Sequence, residues 1–296
     1  MYCDMSKRVV IKLKGGMGNQ MFQYAFGKTL AKTAENNGKH LTVLFDTTAY
    51  TDPNQKDTRR PYMLPLLNTN AVIADDDVAL RARNPYGIIS KIIRKIRHKL
   101  GIGNTAAYNP RFLRPPYKGY YEGYWQSDRY LSLVEDEIRK EFTLKKPMGA
   151  VAEEMHKQIA ADPNAVSIFY RRTDYVGHSA FDIGEQAYQK RAIARMKELF
   201  PEGKLYVMSD DIDWVKEHAD LPESSVFVSS DQIPPEEEMF LAAACRHNII
   251  PNSTFAWWGA YLNTNPEKIV IAPKEWARGK VEKQYDYITP DEWLRV

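Results

Sequence analysis

Four clusters of polar residues stand directly after predicted strands, and their residue types suit the binding of an anion. Arg171 and Arg172 follow the apolar run AVSIFY, and arginine is the side chain best suited to bidentate contact with phosphate. The other three clusters occupy residues 15–20, 209–211 and 252–254. Because ligands bind beyond the carboxyl ends of strands in open α/β sheets, we expect the four clusters to line one crevice.

The glycine-rich cluster GGMGNQ does not match a standard phosphate-binding fingerprint. Gly16 and Gly18 fit the first two glycines of the dinucleotide-binding pattern, but Met21 occupies the third position, and the Gly-Lys-Ser/Thr of a P-loop is missing. The ordinary interpretation is a tight turn between a strand and a helix. Asn19 and Gln20 add amide donors and acceptors at the helix start, so we favour contact with a polar ligand.

The remaining clusters also have structural interpretations. A surface ion pair with Asp174 would explain a single arginine, but two successive arginines after an apolar strand place at least one of them inward. Ser253 or Thr254 would cap the helix FAWWGAYL, and the start of that helix is also a site for an anion. Two acidic residues after another strand either accept hydrogen bonds from a base or sugar, or form a solvated turn; these are Asp210 and Asp211.

Composition narrows the class of ligand. The 296-residue chain has 41 basic and 38 acidic residues, a balance too even for a general nucleic-acid-binding protein. The two cysteines suggest neither a disulfide framework nor a metal site, and no isolated Asp-x-Asp motif follows an apolar strand. We therefore expect a nucleotide with a pyrophosphate, held by arginines and helix-terminal donors without a metal or cofactor. The chain shows no signal peptide and no apolar run long enough for a spanning helix, so we expect a cytoplasmic protein.

The elements that position these clusters alternate between strand and helix in both halves of the chain. The first half begins with a strand, the glycine turn and a helix, which is the start of a βαβ unit and predicts a parallel sheet. The second half repeats this rhythm, and residues 51–87 look irregular. The simplest interpretation is two α/β domains, residues 1–148 and 149–296.

The segment 88–100 is predicted to be an amphipathic helix. Its isoleucines form one stripe, while lysines and arginines fill the other positions. One interpretation is peripheral contact with an anionic membrane, at the inner face of a cell membrane. The other is a helix whose stripe packs on its own domain, which we favour because the stripe is a single short helix.

Several motifs resemble the family-eleven glycosyltransferases, the α-1,2-fucosyltransferases. They are GGMGNQMFQYAFGK, RRTDYV, YVMSDDIDWVK, HNIIPNSTFAWWGAYLN, IAPKEW, GYWQSDRYL and IRKEF, which together span nearly the whole chain. The resemblance implies an α/β fold of GT-B type, in which two Rossmann-like domains face each other across a cleft. The N-terminal domain would be on the acceptor side, and the C-terminal domain would bind the donor. The resemblance also implies inverting, metal-independent transfer of L-fucose from GDP-β-L-fucose to the 2-hydroxyl of a terminal galactose on a glycan.

The resemblance assigns roles by motif. Arg171 and Arg172 would contact the pyrophosphate, and Asn19 lies in the loop that would face the fucosyl phosphate. Asp174 would act as the catalytic base or hold an arginine in place, and we favour the second role. Ser253 and Thr254 would contact the donor phosphate, and Asp210 or Asp211 the guanosine. The full set of implied donor-binding residues is Gly16, Gly18, Gln20, Asp210, Asp211, Asn252, Ser253, Thr254 and Phe255.

The chain departs from the family pattern His-x-Arg-Arg-Gly-Asp-Tyr at two positions. Thr173 replaces the glycine, and Phe169 replaces the histidine. The loss of a polar, titratable group near the nucleotide predicts weaker or altered nucleotide recognition rather than loss of catalysis. Two alternatives therefore stay open: a related fucosyltransferase of another linkage, and a protein that binds a GDP-sugar without transferring it. The acceptor and the oligomeric state are not specified by any motif.

Overall fold

The chain forms two compact units, each built on its own parallel sheet. The computed structural model describes residues 8–52, 60–99, 106–117, 119–173 and 175–296. The two units are Met1–Lys145 and Lys146–Val296, and their division lies close to residue 148, where the sequence pattern places the domain boundary. The predicted α/β class with parallel sheets is confirmed.

In the first unit, the described residues form a three-stranded sheet. The strands are β1 (Arg8–Lys12), β2 (Thr42–Asp46) and β3 (Tyr120–Tyr121). The order is β2-β1-β3 and both pairings are parallel, so β1 is central and the turn after it lies between the ends of two neighbours. The helices are α1 (Met17–Asn36), α2 (Asp76–Arg83), α3 (Ile88–Lys99) and α4 (Glu135–Glu141), with short 3-10 turns at Thr48–Tyr50, Leu64–Leu66, Pro110–Leu113 and Asp128–Tyr130.

Helix α1 packs closely on this sheet. A Cβ at Gly27 would lie 2.9 Å from the Phe45 ring and 3.0 Å from Ile11 Cδ1, so a larger residue would require these side chains to shift. On the same helix, Phe26 stacks on Trp125 with ring centroids 4.2 Å apart. The aromatic segment that contains Trp125 therefore completes the core under α1.

The second unit has a doubly wound sheet. Its strands are β4 (Ala165–Tyr170), β5 (Lys204–Ser209), β6 (Val226–Phe227), β7 (His247–Ile249), β8 (Val270–Ala272) and β9 (Leu294–Arg295). The order is β6-β5-β4-β7-β8-β9 and every pairing is parallel. The helices are α5 (Ala150–Ala161), α6 (Glu185–Leu199), α7 (Ile212–His218), α8 (Pro235–Ala244) and α9 (Thr254–Leu262), and a 3-10 segment spans Gly279–Tyr285.

The strand order of this sheet reverses between β4 and β7. Chain order runs outward through β5 and β6 on one side and through β7, β8 and β9 on the other. In doubly wound sheets, the crevice at such a reversal, beyond the carboxyl ends of the strands, is where ligands bind. The residues that follow β4 and β7 are the arginine pair and the cluster at 252–254.

Helix α3 does not pack on its own domain through its isoleucines, contrary to our favoured expectation. Ile88 is 73% exposed, and Ile92 and Ile96 are each 53% exposed. Ser90 is buried, and its hydroxyl accepts a hydrogen bond from the backbone N–H of Tyr86. The isoleucine stripe of the helix faces outward.

No helix in the described ranges is long and apolar enough to cross a membrane.

Candidate active site

The turn after β4 is organised by one carboxylate, that of Asp210. Its Oδ2 atom lies 2.8 Å from a terminal nitrogen of Arg171, and its Oδ1 atom accepts the backbone N–H of Arg172 at 2.8 Å. The backbone N–H and the hydroxyl of Thr173 both donate to Oδ2. The side chain after β5 thus fixes the side chain and the backbone after β4, and the exposed Asp210 contacts both arginines of the pair.

Arg172 is held differently, by an aromatic ring. Its guanidinium lies 3.4 Å from the centroid of Trp214, in the first turn of α7. A flat cation on an indole face is a favourable arrangement that leaves the edge of the guanidinium for an anion. Among the described residues, no carboxylate forms an ion pair with Arg172. Both arginines stay charged, and within the described ranges Arg171 pairs with a carboxylate while Arg172 lies on an aromatic ring.

Glu185, the first residue of α6, also holds the backbone of the turn after β4. Its Oε1 atom accepts the backbone N–H of Arg171, while its buried Oε2 atom has no partner in the described part of the chain. Burial raises the pKa of Glu185 to about 8, which is opposed by the hydrogen bond from Arg171 and by both arginine charges. A neutral carboxyl can hold the backbone without competing for the guanidinium groups. Asp174 lies outside the described residues, and its role stays a prediction.

Asp211 caps helix α7. Its Oδ1 atom accepts the backbone N–H of Trp214 at 3.3 Å, which is the usual bond of an N-cap residue. The preceding backbone is fixed by Ser209 and Ser229, whose hydroxyl oxygens accept the N–H groups of Asp211 and Ser209. In this arrangement both acidic residues after β5 have structural partners, and the predicted guanosine contact stays a prediction.

A second buried carboxyl lies near this strand end. Burial raises the pKa of Glu238, in α8, to about 7, while a hydrogen bond from Ser229 and the nearby charge of Asp210 act in opposite directions. The group therefore carries a proton for part of the time near neutral pH, which reduces repulsion between it and Asp210.

The cluster after β7 opens helix α9. Ser253 occupies the N-cap position without a side-chain hydrogen bond to the helix, so its hydroxyl does not cap the helix as the structural interpretation supposes. Asn252 is 3% exposed, and its amide donates to the carbonyls of Phe181 and Trp276, which joins two loops. Asn252 thus has a structural role, while Ser253 and Thr254 stand at the helix start beside the reversal of the sheet.

Phe169, which stands at the histidine position of the family pattern, is a core residue. It is 6% exposed, and its ring packs edge-to-face against Phe255 with centroids 5.8 Å apart. Its carbonyl accepts the amide of Gln189. The side chain therefore joins β4 to α9, and Phe255, predicted to contact the donor, is its half-buried partner.

In the first unit, the glycine turn places Asn19 at the start of α1. Gly15 has φ +80°, and a Cβ there would lie 2.5 Å from Asn19 Nδ2, so glycine makes room for the asparagine. Gly16 has an ordinary φ of −73°, and nothing lies within 4 Å of an added Cβ. Neither the backbone conformation nor a neighbouring atom requires glycine at position 16. A glycine without such a need is expected where a ligand approaches the backbone closely.

Asn19 is held by a residue that we did not predict. The amide nitrogen of Gln126 donates to Asn19 Oδ1 at 2.6 Å, and Gln126 is 5% exposed. Its own Oε1 atom is buried and has no hydrogen-bond partner among the residues described. The preceding residue, Trp125, has φ 48°, a strained value for a bulky side chain. This turn directs Gln126 to Asn19 at the carboxyl end of β3.

Gln20 has a structural role, and its predicted donor contact stays a prediction. It is fully buried, its amide nitrogen donates to the carbonyls of Gly15 and Pro61, and its oxygen accepts the N–H of Met63. No exposed atom is left for a ligand, so Gln20 ties the glycine turn to the segment after it. Gly18 is also buried, inside the first turn of α1.

Three supporting residues were missed because their sequence signals are ordinary. Glu185 reads as an acidic residue at a helix start, Trp214 as an apolar position of a short helix, and Gln126 as part of an aromatic loop. The shared motifs GYWQSDRYL and YVMSDDIDWVK contain Gln126 and Trp214, whereas none of the shared motifs contains Glu185. In the described ranges, no three side chains of His, Cys, Asp or Glu are grouped to hold a metal ion.

Solved structures of the fucosyltransferase NodZ share this fold. A structure of NodZ α-1,6-fucosyltransferase soaked with GDP-fucose matches with a TM-score of 0.55 at 16% identity, over 90% of this chain and 95% of that one. A structure of NodZ from Bradyrhizobium matches with a TM-score of 0.53, over 86% of this chain and 92% of that one, also at 16% identity. The predicted GT-B type is confirmed by this likeness, which at such identity concerns the fold.

Proteins of named activity are similar over most of the chain. The O-antigen biosynthesis glycosyltransferase WbnK of Escherichia coli is 28% identical, over 96% of this chain and 99% of its own length. The α-1,2-colitosyltransferase of Escherichia coli is 28% identical over 97% and 98%. Human galactoside α-(1,2)-fucosyltransferase 1 is 25% identical over 84% of this chain and 63% of its own length. The model of glycosyl transferase family 11 matches residues 2–296, and the chain therefore belongs to glycosyltransferase family 11.

Proposed function

We propose that this glycosyltransferase transfers L-fucose from GDP-β-L-fucose to the 2-hydroxyl of a terminal galactose on a glycan, with inversion and without a metal ion. The observation that carries the proposal is the arginine pair at the sheet reversal, with Arg171 fixed by Asp210 and Arg172 lying on Trp214. The names of the family relatives support the sugar class and the α-1,2 linkage.

Breaking the bond between fucose and phosphate leaves negative charge on the departing GDP. Guanidinium groups fixed before the reaction stabilise that charge without reorganising, and each such donor lowers the barrier by about 3 kcal/mol. Arg171 cannot turn away while Asp210 holds it, and Arg172 has no direct ion pair within the described ranges. We therefore expect both arginines to stabilise the charge of the departing GDP, with Asp210 fixing the position of Arg171.

In an inverting transfer, the galactose hydroxyl attacks the anomeric carbon from the side opposite the leaving GDP. The fucose–phosphate bond breaks with its electron pair on the phosphate oxygen, and the hydroxyl proton passes to a base. Asp174 is our candidate for that base, or for a group that holds an arginine. Comparing the pH dependence of kcat in Asp174→Asn with the donor affinity of the same variant separates the two roles.

A second donor is favoured by one specific observation. The α-1,2-colitosyltransferase matches 97% of this chain, whereas the human α-(1,2)-fucosyltransferase matches 84% of it. Fucose and colitose differ by one hydroxyl group, at carbon 3, so one pocket could hold either sugar. A pocket that hydrogen-bonds this hydroxyl would reject the deoxy sugar by a large factor, whereas an apolar pocket would discriminate weakly.

The deciding experiment measures GDP release from GDP-fucose and GDP-colitose, with and without lactose as a galactose-terminated acceptor. Acceptor-stimulated release with GDP-fucose, and a 1,2 linkage in the product by NMR, are the expected results. Faster turnover of GDP-colitose than of GDP-fucose would identify GDP-colitose as the preferred donor. Another linkage would indicate a related fucosyltransferase, and binding without turnover would indicate a protein that only holds the nucleotide sugar.

A further inference from the structure

Helix α3 presents an uncovered apolar stripe. Five isoleucines on one side of this helix are between 48% and 73% exposed: Ile88, Ile89, Ile92, Ile93 and Ile96. At spacings of one, three and four residues they fall on one side of an α-helix, and the buried Ser90 lies on another side. Isoleucine side chains exposed in single positions are ordinary, but a contiguous stripe of five marks an interaction surface.

The same helix is strongly basic. Its twelve residues, IISKIIRKIRHK, include five lysines and arginines and no acidic residue. Lys91 and Lys95 are exposed beside the stripe. The chain as a whole has a net charge of only +3, so the basic charge of α3 is a local feature.

We propose that helix α3 lies flat on an anionic lipid bilayer, with its isoleucines between the headgroups and its lysines against the lipid phosphates. A strongly amphipathic helix with large apolar residues on one face and lysine or arginine on the other is the usual form of such an anchor. Apolar burial and attraction to anionic headgroups then act on the same helix. Either contribution alone gives weak binding, since one short helix buries little area.

A second copy of the chain is a less suitable occupant. Pairing α3 with itself would bring two basic helices together and oppose their like charges. A helix of twelve residues is also only about 18 Å long, and one stripe of it falls well short of the roughly 800 Å² per partner of a stable interface. A bilayer matches both the charge and the linear shape of the stripe.

Sedimentation with vesicles tests the proposal. The full-length protein is mixed with vesicles of phosphatidylcholine alone, or of phosphatidylcholine with about 30% phosphatidylglycerol. We expect at least ~10-fold stronger binding to the anionic vesicles, and a marked decrease of that binding between 50 mM and 500 mM salt, because screening weakens the headgroup attraction. Equal binding to both vesicles, or to neither, overturns the proposal.

Two variants separate the apolar and charged contributions. The triple variant Ile89→Ser, Ile92→Ser, Ile96→Ser and the double variant Lys91→Glu, Lys95→Glu should each lower anionic-vesicle binding by about tenfold or more. Their controls make the same kinds of change at exposed positions elsewhere: Leu133→Ser, Val151→Ser, Leu199→Ser, and Lys190→Glu, Lys197→Glu. The controls should bind vesicles as the unmodified protein does.

Further measurements distinguish a loss of vesicle binding from unfolding and from dimer formation. Melting temperature and GDP release with a soluble acceptor should be unchanged in the α3 variants, because these side chains are exposed, so a loss of vesicle binding would not reflect unfolding. Analytical ultracentrifugation reports a dimer if one forms. A dimer that the isoleucine variant dissociates, together with no vesicle binding, would overturn the proposal in favour of a second copy. Unimpaired vesicle binding by the isoleucine variant would also overturn it.

Discussion

Asp210 binds the guanidinium of Arg171 at 2.8 Å through one carboxylate oxygen, and its other oxygen accepts the backbone N–H of Arg172 at the same distance. One side chain after β5 thus sets both the direction of the first arginine and the backbone of the second. The sequence motif predicts a contact with guanosine for Asp210 or Asp211, and this contact stays a prediction. The hydrogen bonds and the ion pair make Asp210 a positioning residue for the arginine pair.

Replacing Asp210 with asparagine should impair transfer while leaving the fold intact. Asn can still accept a hydrogen bond, but it loses the charge that holds Arg171. A hydrogen bond to a charged group contributes roughly 1.5–3 kcal/mol, so kcat/KM for GDP-fucose should fall about 10- to 100-fold. The matched control is Asp213→Asn, whose exposed side chain pairs only with Lys216 among the described residues. Equal kcat/KM in the two variants would contradict the positioning role.

Removal of either arginine should nearly abolish transfer. Arg171→Ala and Arg172→Ala each delete a fixed donor to the leaving GDP, which costs about 3 kcal/mol, or a hundredfold or more in kcat. Arg246→Ala is the control, because this arginine precedes β7, at the amino ends of the parallel strands, and pairs with Glu267. Near-normal kcat in both arginine variants would contradict the assignment of the site.

The sequence was informative where a periodic pattern or a motif was present. The helix from residue 17, the buried strand β4 and the strand ends that bear polar clusters could all be predicted, because periodicity and turn residues are local signals. Strand β3 has two residues and β9 has two, which is too short for a pattern. Their place depends on pairing with residues far along the chain.

The roles of individual site residues were harder to predict for a different reason. Gln20 and Asn252 look like ligand-binding amides in the sequence. In the structure, the side-chain amide nitrogen of each donates to the carbonyl of a residue far along the chain. Trp214 and Gln126 look unremarkable, yet they hold an arginine and an asparagine of the predicted site. Which partner a polar side chain finds is decided by tertiary packing, which spacing along the sequence does not encode.

Alanine substitutions at two adjacent glycines, Gly15 and Gly16, should affect the stability of the protein differently. Gly15→Ala combines a strained φ of +80° with a Cβ only 2.5 Å from Asn19, so it should lower both stability, by about 1 kcal/mol or more, and activity. Gly16→Ala meets no atom within 4 Å, so the melting temperature should not fall.

Activity of the Gly16→Ala variant then reports on the ligand. A donor that approaches the turn closely would meet the added methyl group, and the donor KM should rise severalfold with stability unchanged. Gly38→Ala serves as a reference for a strained glycine distant from the turn, since it has φ +69° and open space. An unchanged donor KM in the Gly16→Ala variant would show that the glycine turn does not contact the donor.

Gln126→Leu should lower activity with little effect on stability. The substitution removes the hydrogen bond to Asn19, worth about 1 kcal/mol, but it also removes a buried oxygen that has no partner in the described structure, so the two effects on folding oppose each other. We expect kcat to fall roughly fivefold at unchanged acceptor KM, because only the position of Asn19 is loosened. The exposed Gln186→Leu is the control. A fall in melting temperature that matches the loss of activity would indicate a purely structural role for Gln126.

Glu185 should make the stability of the protein depend on pH. Burial raises its pKa from the ordinary value of 4.5 to about 8, so between these values the folded chain binds a proton that the unfolded chain has lost. The stabilising effect of that proton is fully present below about pH 4.5 and is lost as the pH rises towards 8, at up to about 1.4 kcal/mol per pH unit. Glu185→Gln keeps an uncharged side chain that can still accept the Arg171 N–H, so it should flatten this part of the profile.

Urea denaturation at pH 5, 6, 7 and 8 measures the effect. The variant and the unmodified protein should have similar free energies of unfolding at pH 5, and the variant should be the more stable at pH 8, by on the order of a few kcal/mol. Glu238, whose pKa burial raises to about 7, adds a second slope over the narrower range from pH 4.5 to 7, and this slope should persist in the variant. Glu202→Gln, at an exposed position, should reproduce the unmodified profile. Parallel profiles for Glu185→Gln and Glu202→Gln would mean that Glu185 is ionised in the folded protein, and that the turn bearing the arginines is held by a carboxylate rather than by a neutral acid.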